Sequence, residues 1–258
     1  MPRPFITNLL NRNKFTNLRP ALALLALLAV VATAWAASDP WKDKDYTSWT
    51  QQDVDRILYE SPWVKMVEVD APWLKGRMQY LTPLPMDCDG RPDLNRGERT
   101  PKSWVMGDPG SVVVYQVTWQ SARTVRAAKL RKSMLCGSGN AERGAEMLDE
   151  QPDDYIITVH SPDMTPFKGM DEDALIKATT LSPKKGQKIS PESVAIASYN
   201  RGGLPYMLTF KFPRKTESGE PAIAKDEKEV EFASHAGKFT LKTKFQLQKM
   251  MVKDGPDL

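Results

Sequence analysis

The stretch from Asp45 to Trp63, DYTSWTQQDVDRILYESPW, leaves the backbone the fewest choices of any in this chain. Thr50 stands where an N-cap belongs and Asp53 follows three residues later, a T-x-x-D form of the capping box. Trp49 then falls at N′ and Val54 at N4, the two ends of a hydrophobic staple. Val54, Ile57 and Leu58 recur at i, i+3 and i+4, which gives one apolar stripe. Pro62 stops the run, because it lacks an N–H and pushes Ser61 out of helical geometry. A helix of about three turns does not persist alone in water. It has to dock, and Trp49 and Trp63 at its two ends are the docking groups.

After this helix the pattern changes period. Val64 to Val69 alternates apolar and charged residues and reads as a strand with one wet face. Ser111 to Trp119 (SVVVYQVTW) is β-branched and aromatic, which predicts a central strand. Ser121 is placed to cap a helix running to about Leu135, and Cys136-Gly-Ser-Gly breaks it. A polar helix from Ala141 to Asp149, a strand from Tyr155 to His160 and a short helix from Asp171 to Thr179 follow. The acidic first turn of that last helix suits the helix dipole.

The last third reads as β. Strands are expected over Ser193–Ser198 and Tyr206–Phe212, the second with Leu208, Phe210 and Phe212 on one face. Asn200 to Gly203 forms the turn between them. Pro213 to Lys228 is a charged connection. Glu229 to Phe232 pairs with the final run from Phe239, in which Phe239, Leu241, Phe245 and Leu247 alternate with Lys242, Lys244, Gln246 and Gln248. Strict alternation of that length is a half-buried antiparallel strand. The fold class is therefore α+β, with N-terminal short helices packed on a mainly antiparallel sheet that C-terminal strands complete.

The N-terminus argues for export. Arg3, Arg12, Lys14 and Arg19 precede the apolar run Ala21–Ala32, and Ala34-Trp35-Ala36 supplies an A-x-A site, so a signal peptide over residues 1–36 with cleavage after Ala36 is expected. The alternative is a retained N-terminal anchor, the one case in which this chain would be tied to a membrane. Both readings place the remainder outside the cytoplasm. The leader takes four of the 36 Lys and Arg and none of the 32 Asp and Glu, so the rest of the chain is neutral on balance. A nucleic-acid partner is thereby excluded. What remains, residues 37–258, is enough for one α+β domain with a Pro- and Gly-rich loop at about 81–110. Cys88 and Cys136 are the only cysteines. Outside the cytoplasm they read as one disulfide, with two free thiols as the competing state.

Four segments in order, Asp45–Trp63, Gln116–Arg126 (QVTWQSARTVR), Leu208–Arg214 (LTFKFPR) and Val230–Met251 (ending QLQKMM), resemble a family of exported bacterial proteins abundant in acidobacteria and catalogued as GWxTD domain-containing. The literal G-W-x-T-D is not among the shared segments. The resemblance implies export and a single α+β domain, and it implies no activity.

Chemistry-bearing patterns are sparse. Setting Gly90 at position 6 of an EF-hand loop places Asp87, Asp89 and Asp93 at ligand positions, but the first and the bidentate ligands fall on Pro85 and Arg96. The alternative is an acidic, solvated turn. His160 and His235 have no partner at zinc spacing. His160-Ser161-Pro162-Asp163 holds triad residue types as sequence neighbours, which is not a triad, and no G-x-S-x-G elbow occurs. Gly137, Gly139 and Gly144 miss the dinucleotide-loop spacing. Arg123, Arg126, Lys129, Arg131 and Lys132 spread around their helix, as on a solvated helix without a single basic face. Trp41, Trp49, Trp63 and Trp73 offer a carbohydrate-stacking platform or, with the staple geometry in favour, core packing. No catalytic residue, cofactor site or metal ligand is assigned. The expected function is a non-enzymatic exported module that binds or scaffolds an envelope or extracellular partner. The rival is an exported hydrolase with a carboxylate acid/base pair that sequence alone does not reveal.

Overall fold

A computed structural model describes residues 39–74, 80–83, 85, 88, 111–138, 141–198, 203–252 and 255–258. The chain divides into two compact units, Met1–Asp43 and Lys44–Leu258. In the first, the described residues form one turn of helix, α1 (Pro40–Asp43), with Lys42 paired to Asp39 at 2.8 Å. The expected leader and cleavage site lie outside the described residues, as does most of the expected Pro- and Gly-rich loop with Asp87, Asp89 and Asp93. Among the described residues no helix is long and apolar enough to cross a membrane.

In the second unit a 3-10 turn (Tyr46–Ser48) leads into α2 (Gln51–Glu60), whose start is the one the sequence dictates. The Asp53 amide donates to Thr50 Oγ1 at 3.2 Å and the Thr50 amide to Asp53 Oδ2 at 3.0 Å, a reciprocal capping box. Burial works against the Asp53 charge, but the Thr50 hydrogen bonds and the Lys44 ammonium outweigh it and hold the carboxyl below its usual range. Val54, Ile57 and Leu58 are buried, and so is Trp49. The cap is worth about 1 kcal/mol. Each buried apolar side chain is worth about 1.5–3 kcal/mol, so docking, more than capping, keeps this helix folded.

Two antiparallel sheets follow. The larger has the order β1–β3–β4–β7–β6, built from β1 (Val64–Asp70), β3 (Val112–Trp119), β4 (Asp154–His160), β7 (Pro205–Pro213) and β6 (Ser193–Ser198). The short β2 (Tyr80–Leu81) pairs in parallel with the start of β3. The smaller sheet is β5–β8–β9, from β5 (Thr179–Pro183), β8 (Glu229–Ala236) and β9 (Phe239–Gln246). The α+β architecture with short helices ahead of a sheet and C-terminal strands is therefore as the alternation requires.

Register decides which side chains meet. Val117 lies opposite Val159, and Ile157 opposite Phe210, so Tyr115, Val117, Trp119, Ile157, Val159, Leu208, Phe210 and Phe212 share one face. That face packs on the smaller sheet. Trp119 meets Phe245 edge-on at 5.1 Å, Tyr115 meets Phe239 at 5.4 Å, and Phe210 meets Phe232 at 5.6 Å. On the other face of β3, Val114 and Thr118 are buried as well, and Gln116 Nε2 donates to the Leu58 carbonyl of α2 at 3.2 Å. Helix α5 (Glu172–Ala178), capped by Asp171, packs on β5, β6 and β8 and so touches both sheets.

Two local readings need correction. The helix expected to Thr179 ends at Ala178, and Thr179 opens β5, a strand absent from the sequence reading. Its only large apolar residue is Leu181, too little for a period to register, and pairing with β8 defines it. The run expected to alternate through Gln248 leaves the strand at Gln246 and turns through a 3-10 helix over Leu247–Lys249, which still buries Leu247. The turn at Asn200–Gly203 falls largely outside the described residues.

The two cysteines are joined. The Cys88–Cys136 disulfide, between cysteines 48 residues apart, fastens Cys88 to the C-cap of a helix, α3 (Arg123–Leu135). Replacing both cysteines by serine should lower the unfolding free energy by about 4 kcal/mol, the loop-closure value for that separation, read from urea denaturation.

A second fastening is Glu227, buried before β8, whose carboxylate accepts the amides of Lys185, Lys228 and Glu229. Burial alone would raise its pKa, but these amides win and hold it below its usual 4.5. A depressed folded-state pKa contributes stability that is present above the unfolded value and lost as pH falls through the folded one. Urea midpoints measured from neutral pH to below 4.5 should therefore fall less steeply in Glu227→Gln than in the wild type.

Candidate functional site

The expected cap of α3, Ser121, does other work. Its hydroxyl accepts the Ile156 amide at 3.1 Å, tying the β3–α3 turn to β4, and the N-cap residue Ala122 has no side chain to offer. The orphan amides at the start of α3 are met instead by Asp257. Arg123 N donates to Asp257 Oδ1, and Thr124 N to Oδ2 at 2.8 Å. A carboxylate suits the positive end of a helix dipole, and here it arrives from 134 residues along the chain. The Asp257 carbonyl also accepts the Trp63 indole N–H at 2.7 Å, and its amide donates to Met250 O at 2.9 Å.

Opposite stands α4 (Ala141–Asp149), whose last carbonyls are gathered by Arg126. Its Nη1 donates to Met147 O at 2.8 Å and Glu150 O at 2.9 Å, and its Nη2 to Leu148 O at 3.2 Å. The two helices approach closely because residue 144 is glycine. A Cβ there would stand 2.3 Å from Leu130 Cδ1. The third wall is a small hairpin, β10 (Met251–Val252) with β11 (Gly255–Pro256). Arg214, stacked over Tyr155 at 4.4 Å, donates to the Leu258 carbonyl and to Pro152 O at 2.8 Å.

Between α3, α4 and the hairpin lies a cleft of about 260 Å³. Its polar lining includes Arg123, Arg126, Asp149 and Asp257, and its apolar lining includes Leu148, Val252 and Pro256. Arg123 and Asp149 face each other at 3.4 Å across the opening, both well exposed. Water screens such a pair, so it contributes little to stability and leaves both groups free to turn toward a ligand.

The basic helix therefore differs from the solvated cylinder that its sequence implies. Arg126 is committed to α4, and Arg131 Nε donates to the Trp49 carbonyl at 2.8 Å. The reason is placement, because α3 packs against both α2 and α4, so cations on those flanks meet carbonyl oxygens before they meet water.

The other singled-out residues fall elsewhere. Trp49 and Trp63 are buried, and half-buried Trp73 donates its indole N–H to Asp163 at 3.0 Å, so these three are packing groups. Trp41 belongs to the first unit. Ser161 donates to Val114 O at 3.0 Å, and the Asp163 carboxylate accepts from Thr165 N at 2.8 Å, so hydroxyl and carboxylate are spent on structural partners. His160 is half-buried on β4, and burial alone keeps its imidazole below the usual value. His235 is exposed, with Nδ1 3.0 Å from Thr240 Oγ1. Gly137, at φ +73°, ends α3. Among the described residues no group of three or more His, Cys, Asp or Glu side chains is gathered as a metal site.

Comparison of the chain with family models, with curated proteins and with solved structures finds no match. Replacing Arg126 by methionine keeps the apolar stem but abandons three carbonyls, so Arg126→Met should lose about 2 kcal/mol in thermal unfolding. Proteolytic nicking should then appear in α4 before it appears elsewhere.

Proposed function

We propose that the chain is an exported, non-enzymatic binding or scaffolding domain of the cell envelope, in line with the exported family it resembles, and that the cleft beside α3 is its contact site. The observation that carries the reading is how the cleft is made. Arg126, bonded to three carbonyls of α4, and Asp257, bonded to two amides of α3, hold part of its polar lining in place between distant segments, while exposed Arg123 and Asp149 stand beside apolar side chains at its mouth. Groups held rigidly in structural bonds shape a recognition surface, whereas a general acid or base has to exchange its proton with a substrate. The Cys88–Cys136 disulfide supports an oxidising compartment and therefore export.

The test compares the full chain with Asp149→Trp, a change at an exposed rim position that fills the cleft mouth. Both proteins, shown folded by circular dichroism, are immobilised and exposed to solubilised envelope and to medium. The wild type should retain a discrete species that the variant does not. Equal retention by both, or turnover by the wild type across a hydrolase panel, would overturn the proposal.

A further inference from the structure

We infer that the hairpin of Met251–Val252 and Gly255–Pro256, together with Asp257 and Leu258, is a strap that undocks and redocks as one unit while the two sheets stay packed, with Asp257 as its clasp. The inference begins from an imbalance in burial. Among the described residues of this segment only Asp257 is buried; Met251 is 42 % exposed, Pro256 is exposed, and Val252, Gly255 and Leu258 are half-buried. The strap therefore has little apolar area to hold it down. Among the described residues its attachment runs through hydrogen bonds, three accepted by Asp257, one donated by the Asp257 amide to Met250 O, and one from Arg214 to Leu258.

The elements beneath are held differently. Trp63, Trp119, Phe210, Phe212 and Phe232 are fully buried, and releasing them means dismantling the core. A segment with few apolar contacts opens at lower free energy than the core it rests on. Undocking also has a defined consequence. The strap is one wall of the cleft, so its departure widens the cleft and breaks the bonds to the first amides of α3, to the Trp63 indole N–H and to Arg214 Nη2. That this opening gates a ligand rests on the binding reading above; the opening itself does not.

Native-state amide exchange on the full chain decides the matter. First-turn helical amides have no acceptor within their own helix, so protection at Arg123 and Thr124 reports the strap alone. In the wild type these two amides and that of Asp257 should exchange through one shared opening, insensitive to low urea, well ahead of Val117, Val159 and Phe210. In Asp257→Asn, which keeps the shape and removes the charge, exchange at Arg123 and Thr124 should rise roughly ten- to hundredfold, the worth of a charged hydrogen bond, with core rates unchanged. Exchange of Arg123 and Thr124 only together with the core would overturn the strap, and so would core rates that rise alongside theirs in the variant. Should the variant fail to fold, the wild-type pattern alone gives the answer. No ligand enters the measurement, so a failed strap and a failed capture experiment remain separate results.

Discussion

The unit from Lys44 to Leu258 depends on β3 being buried on both faces. One face sets Tyr115, Val117 and Trp119 against the smaller sheet, and the other buries Val114 and Thr118 and is bonded through Gln116 to the Leu58 carbonyl of α2. Its edges are occupied too, by β1 along one side and by β2 and β4 in succession along the other. Among the described residues the buried Tyr115 hydroxyl and Trp119 indole N–H meet no hydrogen-bond partner. Each such group costs about 1–3 kcal/mol. A buried aromatic ring of about 150–250 Å² contributes roughly 4–6 kcal/mol at the usual area coefficient. Burial of the rings therefore outweighs the orphaned polar atoms, and the sheets stay closed over them.

Around this spine the helices are held by residues far away in sequence. Helix α2 carries its own cap, but α3 borrows Asp257 and α4 borrows Arg126. Borrowed caps link stability to geometry, because any change that moves the C-terminal hairpin also removes the cap of α3. The same bonds shape the cleft. Its walls come from three segments that meet only in the folded chain, and its lining joins an exposed ion pair to apolar side chains.

How much of this is legible in the sequence follows from the range of each interaction. The capping box at Thr50 and Asp53, the stop before Pro62 and the alternation from Phe239 to Gln246 are local, and all are found where the residues place them. The pairing of the two cysteines is legible only as one of two states, since nothing local decides it. The cleft is not legible at all. Ser121 reads as a cap because a serine before a helical run usually is one, yet the Ile156 amide on the neighbouring strand claims its hydroxyl. Nothing near Asp257 marks it as the cap of a helix beginning more than 130 residues earlier. Five cations spread around α3 read as solvated because the sequence does not show which neighbours cover its flanks. Strand β5 escapes notice because its partner, more than its composition, makes it a strand.

The central claim is that two sheets close on each other through the aromatic side chains of β3. Through-space nuclear Overhauser contacts between ring protons test it without perturbing the protein. Cross-peaks are expected between Trp119 and Phe245 and between Tyr115 and Phe239, alongside the Trp119–Tyr155 contact within the larger sheet. A spectrum with the Trp119–Tyr155 contact present and both inter-sheet contacts missing would contradict it.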